Sequence, residues 1–220
     1  MAPGGAPWCT RRMTSASLAS IAAIGLLVLA HLAAEARGAA AARAVSKLGA
    51  SAGFVLLALL QGPRGPLAGG IVAGLALSVV GDAALLSARR PAFLAGLGAF
   101  LLAHVAYALA FAGAGHPAAW AALPVAAATA LVVRWLWPHL GSIGLPVLLY
   151  ALAIGTMLWL ALGVGLPLVR LGAALFFASD LAVARDRFVR PGLSNRVVGL
   201  PLYYAAQALL ALAVGEGRVR

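Results

Sequence analysis

The stretch Leu67-Ala-Gly-Gly-Ile-Val-Ala-Gly-Leu-Ala-Leu-Ser-Val-Val-Gly-Asp-Ala-Ala-Leu-Leu-Ser87 decides the fold. It is long enough to cross a bilayer as a helix, for which about 20 mostly apolar residues suffice. One ionisable side chain, Asp82, interrupts it. The same pattern recurs on both sides. Apolar runs separated by short breaks bearing Arg, Pro or Gly predict eight helices, at Ser17–Ala34, Val45–Leu60, Leu67–Ser87, Phe93–Ala112, Ala118–Leu136, Ile143–Leu162, Pro167–Ala184 and Val198–Val214. Such short connections join antiparallel neighbours in a compact bundle.

Composition leaves no room for another class. The 220 residues are 64% hydrophobic and only 10% charged, and the mean hydropathy is +1.02. A soluble domain of this size needs far more polar surface. The expectation is an all-α, polytopic transmembrane bundle. Residues 17–214 form its single domain, preceded by an undefined segment over 1–16 and followed by a short basic tail over 215–220. The net charge of +11 would suggest nucleic acid if the arginines shared a soluble face. They stand singly or in pairs at the ends of apolar runs, which fits anionic lipid headgroups and topology setting, and no nucleic-acid partner is expected. A single cysteine, Cys9, excludes an internal disulfide and any cysteine-based metal site.

The first span has a competing reading. Arg11 and Arg12 followed by an apolar run ending near Glu35 resemble a cleavable signal peptide, although a retained helix is the preferred expectation. Orientation follows the basic residues. Ten of them (Arg37, Arg43, Lys47, Arg89, Arg90, Arg134, Arg185, Arg187, Arg190 and Arg196) fall on one side. Six (Arg11, Arg12, Arg64, Arg170, Arg218 and Arg220) fall on the other. The loops after the odd-numbered spans are therefore expected in the cytoplasm, with an integral location in a bacterial inner or plasma membrane. The first arginine pair argues the other way.

Only five acidic residues occur. Glu35, Asp186 and Glu216 are expected at or beyond helix ends, where hydration is easy. Asp82 and Asp180 lie inside spans three and seven, where an ionisable group costs roughly 2.5–3.5 kcal/mol on insertion scales. Both spans cross in the same direction, and each aspartate precedes its helix end by a turn or two. The two carboxylates therefore share a depth and a face. That face also receives Lys47 and, from span eight, Tyr203, Tyr204 and Gln207. His104 and Tyr107 of span four fall deeper. Helical spacing places Ser78 with Asp82, Phe176 with Asp180, Tyr203 with Gln207, and His104 with Tyr107 on common faces. Whether those faces converge is a question for the tertiary structure. Plainer roles compete. Either aspartate alone fits a register-fixing ion pair, Lys47 an interfacial anchor, and the tyrosines an aromatic belt. No metal-ligand spacing surrounds His104.

Four segments then carry a resemblance: Ser78-Val-Val-Gly-Asp-Ala-Ala-Leu-Leu86, Phe93 through His104 to Tyr107, Phe176-Phe-Ala-Ser-Asp-Leu-Ala-Val-Ala-Arg185 with Arg187-Phe-Val189, and Leu200-Pro-Leu-Tyr-Tyr-Ala-Ala-Gln207. In order and spacing the chain resembles the YhhN-like lysoplasmalogenases, an eight-helix membrane family, from about Lys47 to about Leu212. The segment before Arg43 lies outside the resemblance. The resemblance implies hydrolysis of the vinyl ether bond of lysoplasmalogens to a fatty aldehyde and glycerophospho-ethanolamine or -choline. It maps the catalytic pair onto Asp82 and Asp180. Lys47, His104, Tyr203, Tyr204 and Gln207 match polar positions of the pattern.

Vinyl ether hydrolysis needs an acid to protonate the β-carbon and a base to activate water, and two carboxylates in unlike surroundings divide those tasks. Which aspartate is which stays open. Lys47, Arg89 or Arg90 is expected to hold the substrate phosphate. Ser179 is expected to hydrogen-bond rather than act as a nucleophile, and Ser78 and Tyr107 to support the site. No metal or organic cofactor is required, and the expected partners are a lysophospholipid substrate and membrane lipids. The oligomeric state is not legible. The alternatives are a proton-coupled transporter, a scaffold whose aspartates only lock helices, and a hydrolase of a different lipid ether.

Overall fold

The computed structural model describes residues 13–87 and 89–216. Among them it contains eight long helices and no strand. They are α1 (Ser15–Arg37), α2 (Ala40–Leu60), α3 (Gly65–Ala84), α4 (Arg90–Ala112), α5 (Ala119–Leu136), α6 (Gly144–Gly163), α7 (Pro167–Ala184) and α8 (Leu193–Ala213). Each is long and apolar enough to span a membrane. Two short 3-10 turns separate α5 from α6, and a π-turn over Arg185–Val189 follows α7. Arg11, Arg12 and Cys9, with the last four residues of the basic tail, lie outside the described residues.

The polarity of the bundle is that of a protein solvated by lipid. Leu26, Leu109, Trp120 and Leu123 are each about seven-tenths exposed, whereas Ser51, Ser78, His104, Ser179 and Gln207 are fully buried. In hydrocarbon, burying an apolar side chain gains little, so close packing and internal hydrogen bonds hold helices together. The pairs α1–α2, α3–α4 and α7–α8 pack most closely, and α8 also contacts α1, α2 and α3. Of the long helices, α5 packs mainly on α6.

The tightest seam is α3 on α4. A Cβ at Gly74 would lie 2.4 Å from the Tyr107 ring, and one at Gly81 would lie 2.5 Å from the Phe100 ring. The missing side chains seat the two aromatic rings and bring Asp82 toward the bundle interior. α1 is a packed member of the bundle. Thr14 caps it through the Ser17 amide at 3.1 Å, and Gln61 of α2 donates to Ser17 at 3.1 Å.

Helix starts differ from the sequence expectation where basic residues occur. α2 begins at Ala40 rather than Val45, so Arg43 is helical and Lys47 lies within the helix rather than in its first turn, and α8 begins at Leu193 rather than Val198, enclosing Arg196. α4 starts at Arg90 rather than Phe93. Charges mark a span's end only when water must solvate them, and three of these cations have carboxylate partners inside the bundle. Arg43 pairs with Glu35 at 3.5 Å, Lys47 with Asp82 at 3.0 Å, and Arg196 with both Glu35 and Asp186.

Gly74→Ala is expected to displace the Tyr107 ring and destabilise the fold by about 1–3 kcal/mol, the usual cost of overpacking. Thermal unfolding in detergent checks this, with the exposed Gly69→Ala, whose Cβ would meet nothing within 4 Å, as the neutral comparison.

Candidate functional site

Asp82 and Asp180 line one cavity of about 130 Å³. Its other polar walls are Lys47, Thr129, Tyr150, Ser179, Arg187 and Tyr203, set among Leu97, Phe100, Val147, Ile154, Phe177 and Leu200. The faces of spans three and seven therefore do converge. A larger groove between α5 and α6, about 800 Å³, has no acidic residue on its walls.

The aspartates keep different company. Asp82 is sealed, its side chain 2% exposed. Lys47 Nζ stands 3.0 Å from its Oδ1, and Ser51 and Tyr203 donate to its Oδ2 at 2.7 Å each. Tyr204 closes the group, donating to the Lys47 carbonyl at 3.1 Å and lying 3.1 Å from the Ser51 hydroxyl. A carboxylate with an ammonium and two hydroxyl donors is matched as an anion. Asp180 is more open, its side chain 17% exposed. Tyr150 donates to its Oδ2 at 2.7 Å, and His104 Nε2 lies 3.8 Å from the same oxygen. That imidazole is fully buried, and neither ring nitrogen has a well-formed hydrogen bond. The ring is boxed by Phe176 at 4.6 Å and Tyr150 at 5.1 Å between centroids.

Other polar residues singled out in the sequence support this pair from behind. Tyr107 donates to Gln207 Oε1 at 2.8 Å. Ser78 turns back to the Gly74 carbonyl at 2.9 Å, and Ser179 donates to the Phe176 carbonyl at 2.8 Å. Ser179 also reaches the cavity wall beside Asp180. The sequence does not single out four polar residues of the site: Ser51, Thr129, Tyr150 and Arg187. Serine is unremarkable in a membrane helix, and Tyr150 reads as an aromatic-belt residue. Arg187 reads as one more interfacial charge. Neither Arg89 nor Arg90 lines the cavity; Arg90 instead donates to Ser142 at 3.1 Å.

A second charged cluster lies outside the cavity. Glu35 and Asp186, expected in water at helix ends, are instead bridged by Arg196. Asp186 also accepts from the Gly192 amide at 2.8 Å and from Asn195 at 3.2 Å. His31 Nε2 stands 3.7 Å from Glu35. This cluster ties α1, α2 and α8 to the π-turn that follows Asp180.

The YhhN family pattern matches residues 16–214. The chain belongs to the YhhN family. The match includes α1, so family membership extends well before the Lys47 limit of the sequence resemblance. Among curated proteins, the chain is 39% identical over 160 residues to a Mycobacterium bovis protein named lysoplasmalogenase, covering 65% of this chain and 59% of that one. It is 35% identical over 165 residues to Lysoplasmalogenase TMEM86A of Bos taurus, covering 70% and 68%. It is 36% identical over 139 residues to Lysoplasmalogenase TMEM86B of Sus scrofa, covering 63% and 60%. The match thus spans about three-fifths of the mycobacterial relative's length. No solved structure matches the chain.

Three substitutions test the electrostatics of this YhhN bundle. Lys47→Met leaves the buried Asp82 charge unpaired and is expected to cost about 3–5 kcal/mol. Adding Asp82→Asn to it should restore most of that loss in a thermal-unfolding cycle. Arg196→Met, whose partner is more exposed, should cost on the order of 1–3 kcal/mol, between the exposed and buried limits, and the loss should shrink in high salt.

Proposed function

We propose that this protein is a membrane-embedded hydrolase that cleaves the vinyl ether bond of lysoplasmalogens, releasing a fatty aldehyde and glycerophospho-ethanolamine or -choline. The observation that carries the reading is two carboxylates with unlike partners on the wall of one largely apolar cavity. Family membership and the names of the mycobacterial and mammalian relatives support the same chemistry.

In the proposed reaction Asp180 is the acid. Among the described residues it has no lysine or arginine partner, and it carries the proton to be transferred, with the His104 imidazole 3.8 Å away. The proton passes to the β-carbon of the vinyl ether, and positive charge develops on the α-carbon and the ether oxygen. Asp82, held ionised by Lys47, stabilises that oxocarbenium ion electrostatically. It then accepts a proton from the water that adds to the α-carbon. The hemiacetal collapses as Asp82 returns its proton to the glycerol oxygen and the hemiacetal hydroxyl gives its proton to Asp180. Both carboxyl groups are restored, and one water is consumed. Tyr150, Tyr203 and Ser51 hold the carboxylates in place, since general acid–base catalysis depends on position before acidity. The apolar wall from Leu97 to Phe177 takes the alkenyl chain.

The enzyme is placed by this reading in a bacterial inner or plasma membrane, with the cavity mouth on the side rich in arginine. That side faces the cytoplasm by the positive-inside bias.

The test is aldehyde release from a defined lysoplasmalogen by purified protein. Asp82→Asn and Asp180→Asn should each lower turnover by at least roughly 100-fold, the lower end of general acid–base contributions, when assayed at a temperature where unfolding profiles show the variant folded. In D2O the aldehyde should carry one deuterium on its α-carbon, and in H2 18O the label should enter the aldehyde and not the glycerol. Normal turnover in both variants, or label in the glycerol hydroxyl, would overturn the mechanism.

A further inference from the structure

Arg187 is the cavity cation that the chemistry above leaves without a task. Its guanidinium carbon sits 4.1 Å over the Phe93 ring. Among the described residues it has no carboxylate partner and no protein hydrogen-bond acceptor. Several other cations of the bundle are engaged. Lys47 pairs with Asp82, Arg196 with Glu35 and Asp186, and Arg185 donates to Asn195. A guanidinium held by an aromatic face keeps its N–H donors for another acceptor.

The backbone aims it. The π-turn over Arg185–Val189 closes its hydrogen bond one residue further along than an α-helix, and both Arg187 and the adjacent Phe188 reach the cavity wall. Asp186, between Arg185 and Arg187, is fixed on the Gly192 amide, Asn195 and Arg196. The charged cluster outside the cavity thus anchors the turn that presents Arg187. Along the helix, Arg187 follows Asp180 by roughly 10 Å at about 1.5 Å per residue, toward the interface. The glycerol backbone of a lysophospholipid spans most of that distance between its ether oxygen and its phosphate, and the long arginine side chain covers the rest.

We propose that Arg187 is the specificity residue that clamps the phosphate of the lysophospholipid headgroup while its vinyl ether lies between the aspartates. This rests on the hydrolase reading for the chemistry, but not for the binding. The contact is the same in ground and transition states, so its loss should raise KM and leave kcat nearly unchanged.

The experiment compares wild type, Arg187→Met and Arg187→Lys on an alkenyl lysophosphatidylethanolamine and on the matching alkenylglycerol, which has no phosphate. Arg187→Met should raise KM for the phospholipid roughly 10–100-fold, the worth of a charge-assisted hydrogen bond. It should leave the alkenylglycerol within about twofold, and Arg187→Lys should recover part of the loss. In parallel, binding of the non-hydrolysable alkyl lysophosphatidylethanolamine is measured by calorimetry, with inorganic phosphate and glycerophosphoethanolamine as competitors. Weaker binding to Arg187→Met supports the clamp. Equal losses on both substrates, no loss on either, or equal binding of the alkyl analogue would overturn it. Inorganic phosphate competing as well as the lipid analogue would reduce the site to a general anion site and also overturn it. If wild type released no aldehyde while analogue binding still depended on Arg187, the clamp would stand and the hydrolase reading would fall.

Discussion

Everything around the cavity follows from the cost of keeping the Asp82 carboxylate in a low-dielectric interior. A buried charge without a partner is worth several kcal/mol against the fold. Here three donors from two other helices meet it: Lys47 and Ser51 from α2, and Tyr203 from α8. Three helices that gain little from apolar burial in lipid are thereby fixed in register. Tyr204 extends the same arrangement by gripping the Lys47 carbonyl. The cavity is the space left beside this cluster, and its shape is inherited from it.

The second aspartate depends on the first indirectly. Asp180 sits on α7, which packs along α8, the helix that carries Tyr203 to Asp82. Its own partners come from α6 and α4, through Tyr150 and His104. The two carboxylates thus face one space while being served by different helices, and unlike surroundings give like groups unlike tasks. Beyond Asp180 the helix opens into a π-turn, a distortion common at functional sites. The Glu35–Arg196–Asp186 cluster holds that turn from the outer side.

Much of this was legible in the chain because polar residues are scarce in a membrane span and each must be accounted for. Asp82, Asp180 and Lys47 stand out on that ground, as do His104 and Tyr203. Ser51 and Tyr150 do not, since a serine can satisfy itself on the preceding turn and a tyrosine fits either interface or core. Arg43 and Arg196 were read as marking helix ends because pairing with Glu35 and Asp186 is a long-range event. Glu35 and Arg196 are far apart in sequence and meet only when α1 and α8 pack. Arg187 stands in one of the quoted segments, but nothing local says which of several interfacial arginines will line the cavity.

The sequence by itself determined the class of the molecule, eight apolar helices with two carboxylates at one depth, because span length and residue polarity are set by the thickness and dielectric of the bilayer. Only the tertiary structure decided that the two carboxylates share a cavity, which cations neutralise Asp82 and Glu35, and that Arg187 rests on the Phe93 ring with no carboxylate partner among the described residues. Depth along a helix is a matter of counting residues. Rotation about its axis depends on the packing of neighbours, such as Gly74 against Tyr107 and Gly81 against Phe100, and those contacts exist only once the bundle has formed.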